Sequence, residues 1–215
     1  MNSSKVVFCD FDGTITTQDT FVSMLEKFVP EVAARVLPAI FSREISLKAA
    51  INLTLGSIPT TYYAEIIEFM SGQPIRPGLP EFIDFLNYYQ VPLIVISGGL
   101  TAMVRAVLER QGLADKVTAI HAGEVDTTGE FLRAYSTVES DTEFIAKAMV
   151  MERYPTPEKV AIGDSVTDIN MSLAADLVFA RDRLMQYLDL EDKPYVMWQD
   201  FFEIRDHLAT RWQIN

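Results

Sequence analysis

Asp10 and Asp12 stand one residue apart directly after the apolar run Val6–Cys9, and Gly13 and Thr14 follow them. A short apolar run ended by turn-forming residues reads as a buried strand. Two carboxylates at the end of such a strand cannot both belong to the core, because burying unpaired charge is costly. They need a cation, a proton or water. A carboxylate beside a metal-neutralised partner can attack phosphorus, so the pair points to phosphoryl transfer.

The same design recurs twice. Pro92–Ile96 (PLIVI) runs into Ser97-Gly98-Gly99, and Val160–Ile162 runs into Gly163-Asp164-Ser165. Near-continuous Val/Ile strands alternating with helical patterns indicate an α/β fold with a parallel, Rossmann-like sheet covered on both faces. Ligands of open sheets sit beyond the carboxyl ends of the strands, so the three polar clusters are expected on one edge. Between and beyond them the periodicity predicts helices over Leu79–Tyr89, Leu100–Gln111, Thr142–Arg153 and Thr167–Ala175, and a last helix from about Gln199. Strands are expected at Val117–Ile120 and Leu177–Ala180, with a hairpin over Glu124–Tyr135 around Thr127-Thr128-Gly129. The span Thr17–Ile75 differs, with repeated helical spacing and no strand pattern. It reads as a helical cap, residues 17–75, inserted after the first strand into a catalytic core of residues 1–16 and 76–215.

For phosphoryl transfer each polar residue has a role. Asp10 is the expected nucleophile, forming an aspartyl phosphate. Asp12 is the expected acid, protonating the leaving oxygen and later activating water. Gly13 lets the chain turn sharply against the ligand, and Thr14 offers a hydroxyl and an amide to phosphate. Asp164 with Asp10 and the carbonyl of Asp12 makes a set of hard oxygens suited to Mg²⁺. Asp168 would orient Asp164 or hold a metal-bound water. Ser97, with the Gly98 amide at a helix N-terminus, would bind phosphate oxygens. Asp182, His121 and His207 read as surface or cap residues, and Cys9 as a small core residue.

The 215 residues, 49% apolar and 22% charged, suit a globular domain carrying an insertion. No apolar run approaches the roughly 20 residues that span a bilayer, and the polar start MNSSK does not read as a signal peptide. A single cysteine fits a reducing compartment, so a cytoplasmic location is expected. The net charge of −12 argues against sequence-independent nucleic-acid binding, and with no spanning run neither nucleic acid nor membrane is expected as a partner. It would also repel a small phosphorylated metabolite unless a divalent cation reverses the field locally, a second reason to expect Mg²⁺. A homodimer is compatible with this composition.

Asp10–Thr14 (DFDGT), Ser97 after PLIVI, and Gly163–Asp168 (GDSVTD) together resemble the first, second and fourth motifs of the haloacid-dehalogenase (HAD) superfamily of phosphatases. The resemblance implies a Rossmann-like core with the cap between the first two motifs, as in the phosphoserine-phosphatase-like branch. Within that branch CDFDGTIT, VISGG, IGDSVTD, FARD (Phe179–Asp182) and QDFFEIR (Gln199–Arg205) are similar to the methionine-salvage phosphatases. That implies 2-hydroxy-3-keto-5-methylthiopentenyl-1-phosphate as substrate, with phosphoserine, or phosphate binding with little turnover, as alternatives. The superfamily's third motif is a lysine near the start of the helix before the fourth motif. The predicted helix opens Glu139-Ser140-Asp141-Thr142-Glu143 without one, and Lys147 lies more than a turn further in, where a solvated position is expected. Lys147 and Arg133 are the cations available for that phosphate-binding role. Asp19 stands where phosphoserine phosphatases carry a substrate-binding glutamate, whereas the segment Lys48–Thr54 lacks the arginine they use on the carboxylate.

Overall fold

The computed structural model describes residues 4–42, 44–141 and 143–214. Seven strands form one sheet: β1 (Lys5–Cys9), β2 (Leu93–Leu100), β3 (Ala119–Asp126), β4 (Arg133–Tyr135), β5 (Glu158–Gly163), β6 (Leu177–Ala180) and β7 (Val196–Met197). Their order is β4-β3-β2-β1-β5-β6-β7, parallel throughout except for β4, which returns antiparallel to β3 in the expected hairpin. The strand order reverses around β1, which pairs with β2 on one side and β5 on the other. The crevice outside the carboxyl ends of β1, β2 and β5 is therefore the topological switch point, where open α/β sheets place ligands.

The continuous apolar runs have a plain cause. In β1 Val6 and Phe8 face one apolar cluster while Val7 and Cys9 face another, so both faces of the strand are core. Ten helices cover the sheet among the described residues: α1 (Thr20–Phe28), α2 (Pro30–Phe41), α3 (Leu47–Leu55), α4 (Tyr63–Ser71), α5 (Leu79–Tyr88), α6 (Thr101–Arg110), α7 (Lys147–Glu152), α8 (Ile169–Leu173), α9 (Asp182–Leu190) and α10 (Phe201–Trp212). Phe82 of α5 stacks on Phe201 of α10 at 5.3 Å between ring centroids, closing one face. No helix is long and apolar enough to cross a membrane among the described residues.

Helices α1–α4 follow β1 and precede α5. The chain leaves the core and returns to it side by side, with the Thr17 amide donating to the Pro74 carbonyl (3.0 Å) and the Arg76 amide to that of Ile15 (2.8 Å). Met24, Leu25, Ile51, Leu55, Ile66 and Met70 from these helices share one apolar cluster with Phe8 and Ile96 of the sheet. A second attachment lies at the other end of the insertion. There the Thr60 amide donates to Glu130 (3.0 Å) and the Leu132 amide to Ile58 (2.9 Å), so the β3–β4 hairpin grips the turn before α4.

One predicted helix is displaced. The segment read as helical from Thr142, which itself lies outside the described residues, forms a helix only from Lys147 to Glu152. Ser140 Oγ accepts the Glu143 amide (3.0 Å) in an isolated capping turn, and the Ala146 amide is drawn to the Val138 carbonyl (2.7 Å). The chain thus spends its cap signal on a turn before the helix begins.

Candidate active site

The loop after β1 carries Asp10, which is 3% exposed, and then reverses with the Thr16 amide on the Phe11 carbonyl (3.0 Å). Gly13 makes the reversal with φ +79°, and a Cβ there would sit 2.5 Å from Asp164 Oδ2. Both the backbone angle and the close approach exclude a side chain. Thr14 Oγ1 donates to Asp164 Oδ1 (2.8 Å), joining the end of β1 to the end of β5. From behind, the buried Arg76 donates through Nε to the Thr14 carbonyl (2.9 Å) and through Nη2 to that of Gly13 (2.5 Å).

Lys147 sits at the centre of this arrangement. It is 1% exposed and its Nζ donates to Asp10 Oδ1 and to Asp168 Oδ1, the latter at 2.6 Å. Asp168 uses its other oxygen to accept the amides of Asp164 and Ser165, each at 3.0 Å, which fixes the turn after β5. Burial works against a charged lysine, but the charges of Asp10 and Asp168 and its hydrogen bonds to them prevail and hold its pKa raised. The expectation that Lys147 lies deep in a helix facing solvent is therefore corrected. It is the first residue of α7, a position set by the late start of that helix.

Asp12 faces another environment. Its carboxylate accepts the Thr20 amide (3.0 Å), the Thr20 hydroxyl and the Ser97 hydroxyl (3.2 Å). Ser97 in turn accepts the Gly99 amide (2.9 Å), where the β2–β3 register slips between Ile96 and Leu100 and re-aims the side chain. Burial raises the pKa of Asp12 despite these donors. Burial raises Asp10 well above the carboxylate range too, with the Asp168 charge adding to it and Lys147 opposing it. Asp164 is pushed up to about 7 by burial and the Asp168 charge. Asp19 caps α1 by accepting the Val22 amide (3.0 Å); its crowded surroundings and the Asp12 charge raise it to about 6.

Asp10, Asp164 and Asp168 each offer an oxygen within 4.8 Å of the others. Asp10 and Asp168 are buried and Asp12 and Asp164 half-buried, so carboxylates outnumber the Lys147 ammonium, and burial together with this crowding raises the pKa values of Asp10 and Asp164. Hard oxygen donors with an unbalanced negative charge fit a small divalent cation. Both oxygens of Asp168 are engaged with Lys147 and the two amides, so Asp10 and Asp164, whose side chains face each other, are the carboxylates that would hold it.

The fold thus brings Asp10, Asp12, Thr14, Ser97, Lys147, Asp164 and Asp168 to the switch point. Gly98 stands upstream of α6, which begins only at Thr101, so it does not head that helix as expected. Arg133 lies exposed on β4 opposite Asp126 rather than in the site. Asp182 is an exposed first residue of α9 paired with Arg181. His121 is half-buried against the Tyr154 hydroxyl (2.7 Å) rather than a surface residue, and His207 meets the edge of Phe179. Sequence reasoning missed Thr20 and Arg76. Thr20 carries no motif, and only the position of Arg76, where the insertion rejoins the core, hints at its task.

Known proteins resemble this chain in sequence and in fold. The chain is 51% identical over 208 residues, 97% of its own length and 99% of the relative's, to a 2-hydroxy-3-keto-5-methylthiopentenyl-1-phosphate phosphatase of Microcystis aeruginosa. It is 34% identical over 210 residues to the protein of that name from Bacillus cereus, covering 94% of each. A solved phosphoserine phosphatase, captured as an analogue of its phospho-aspartyl intermediate, superposes with a TM-score of 0.72 at 19% identity, covering 96% of this chain and 99% of that one, which establishes the common fold. The family model for haloacid dehalogenase-like hydrolases matches residues 7–172, a span that holds the Asp10 loop, Ser97, Lys147 and the Asp164–Asp168 turn. On that match, and on the closeness of its relatives, the chain belongs to the haloacid dehalogenase-like hydrolase family.

Proposed function

We propose that the protein is a cytoplasmic, Mg²⁺-dependent phosphatase of a small phosphorylated metabolite, acting through an aspartyl phosphate. The observation that carries this reading is the contrast between the two carboxylates of one loop. Asp10 is held by the Lys147 ammonium, whereas Asp12 is held by neutral donors, the Thr20 amide and hydroxyl and the Ser97 hydroxyl. Neighbouring carboxyls in different environments divide into nucleophile and acid. Asp10 attacks phosphorus, the bond to the ester oxygen breaks, and Asp12 gives that oxygen its proton. Asp12 then takes a proton from the water that attacks the phosphoaspartate, releasing inorganic phosphate and restoring Asp10. Lys147 neutralises Asp10 and the phosphoryl oxygens, and Ser97 and Thr14 orient the phosphoryl group; Asp10, Asp164 and the carbonyl of Asp12 would hold the cation, which would supply electrostatic stabilisation of the transferred group. Residues 17–75 act as the cap that excludes water.

The substrate we assign is 2-hydroxy-3-keto-5-methylthiopentenyl-1-phosphate, after the relatives that share half of this sequence. Phosphoserine fits less well. Lys48, the cationic residue of α3, is engaged with the Ser140 carbonyl (3.2 Å) and Glu139 (3.2 Å) and is taken from any substrate carboxylate. Phosphate release from p-nitrophenyl phosphate is expected to vanish in Asp10→Asn and on chelation of Mg²⁺. An unaffected rate in Asp10→Asn would refute its role as nucleophile. Of the two metabolites, phosphoserine is expected to turn over at a small fraction of the thioether substrate's rate.

A further inference from the structure

The segments FARD (Phe179–Asp182) and QDFFEIR (Gln199–Arg205) take no part in these roles, yet both lie beside Arg76 behind the site. The Arg76 side chain is buried, and each of its three nitrogens donates to a carbonyl: Nε to Thr14 (2.9 Å), Nη2 to Gly13 (2.5 Å) and Nη1 to Gln199 (3.4 Å). Arg181 donates through Nη1 to the same Gln199 carbonyl (3.1 Å). Both guanidinium carbons also lie 5.2 Å from the centre of the Trp198 ring. That ring is 3% exposed and its buried N–H finds no acceptor among the described residues, so Trp198 serves by its face. The FARD turn meanwhile holds the other half of the site, with the Arg181 amide on the Gly163 carbonyl (3.3 Å) and the Leu184 amide on that of Asp164 (2.9 Å). It does so with Asp182 in left-handed backbone, φ 48°, a conformation kept only where the surroundings impose it.

We infer that Arg76 is a positioning residue of the phosphoryl-transfer site, supported by Trp198 and Arg181: it locks the Gly13 and Thr14 carbonyls so that Asp12 and Asp164 keep one geometry. This role rests on the phosphatase reading above and adds what holds the two strand ends in register. A planar guanidinium presents its donors in a fixed fork, so carbonyls bound to it cannot move independently. Gly13 is joined directly to Asp12, and Thr14 passes the constraint through its hydroxyl to Asp164 Oδ1 (2.8 Å). Fold stability alone is a poor account of this cluster. The Arg76 donors all go to carbonyls, so its charge has no carboxylate in contact among the described residues, and a buried cation in that state is costly. Burial, and after it the Arg181 charge, pulls the Arg76 pKa down, while the charges of Asp164 and Asp182 oppose them. A carboxylate of the site itself thus helps to keep the guanidinium ionised, which ties the brace to the residues that it positions.

The test follows hydrolysis of p-nitrophenyl phosphate at saturating Mg²⁺, with urea midpoints measured on the same proteins. In Arg76→Ala kcat is expected to fall about 100-fold, the effect of a displacement of about 1 Å, with KM within about twofold of wild type. Guanidinium chloride at tens of millimolar should raise that kcat about tenfold, and methylammonium chloride at the same strength should not, because it has no fork. Arg76→Lys keeps the charge and loses the fork, so it is expected to be about as slow as Arg76→Ala. Should Arg76→Ala fail to fold, Arg76→Lys and Arg181→Met decide, the latter with kcat about tenfold lower at unchanged KM. A kcat near wild type in the folded variants, a change confined to KM, or a loss that guanidinium leaves in place overturns the inference and leaves the phosphatase standing. No phosphate release by the wild-type protein overturns both.

Discussion

At Lys147 a single ammonium balances Asp10 and Asp168, all three buried. Breaking such a pair by removing one partner typically costs about 3–5 kcal/mol, because the remaining charges are stranded. Lys147→Met is accordingly expected to lower the urea midpoint strongly and to abolish phosphate release. A stability equal to wild type would mean that the carboxylates find other partners. The residue was visible in the sequence, but its task was not. The Ser140–Glu143 turn imitates a helix start, and a reader counting from it places Lys147 a turn too deep.

Among the elements, the loop after β1 tolerates least. Gly13→Ala combines a left-handed φ with a Cβ driven 2.5 Å from Asp164. The backbone cost is roughly 1 kcal/mol, which leaves the protein folded. The displaced Asp164 should matter more, since a misplacement of about 1 Å in a site can cost about 100-fold in rate. Wild-type-like turnover in Gly13→Ala would show that Asp164 needs no exact placement. Strands β1, β2 and β5 and their polar ends could be read directly, because burial on both faces writes itself as unbroken apolar runs. Short β7 could not, since two paired residues leave no periodic trace, whereas α9 does carry the signal, Leu184 and Leu188 standing four apart behind an opening on Asp182 at φ 48°.

For the molecule as a whole, the concentration of carboxylates makes stability depend on pH and on the cation together. Asp164 ionises near 7 in the fold and near 3.8 in a free chain. The folded state then holds the proton that the unfolded state releases, so this stability is full below 3.8 and is lost as pH rises through about 7. In metal-free protein Tm should fall across that window. Mg²⁺, which favours the ionised form, should raise Tm more at the upper end than at the lower. A Tm that is flat with pH without metal would contradict the unbalanced charge at the site.

The insertion is held to the rest of the chain near Thr17 and Arg76 at one end and by the hairpin at Thr60 and Leu132 at the other. Lys48 of α3 adds a third attachment, donating to the Ser140 carbonyl (3.2 Å) and pairing with Glu139. Thr20, the first residue of α1, holds Asp12 through both its amide and its hydroxyl. Any displacement of α1 would therefore strip from Asp12 two donors that hold its pKa down against burial. The seating of α1 and the proton affinity of Asp12 are thereby coupled: with Thr20 in place, the acid yields its proton more readily than it would without it.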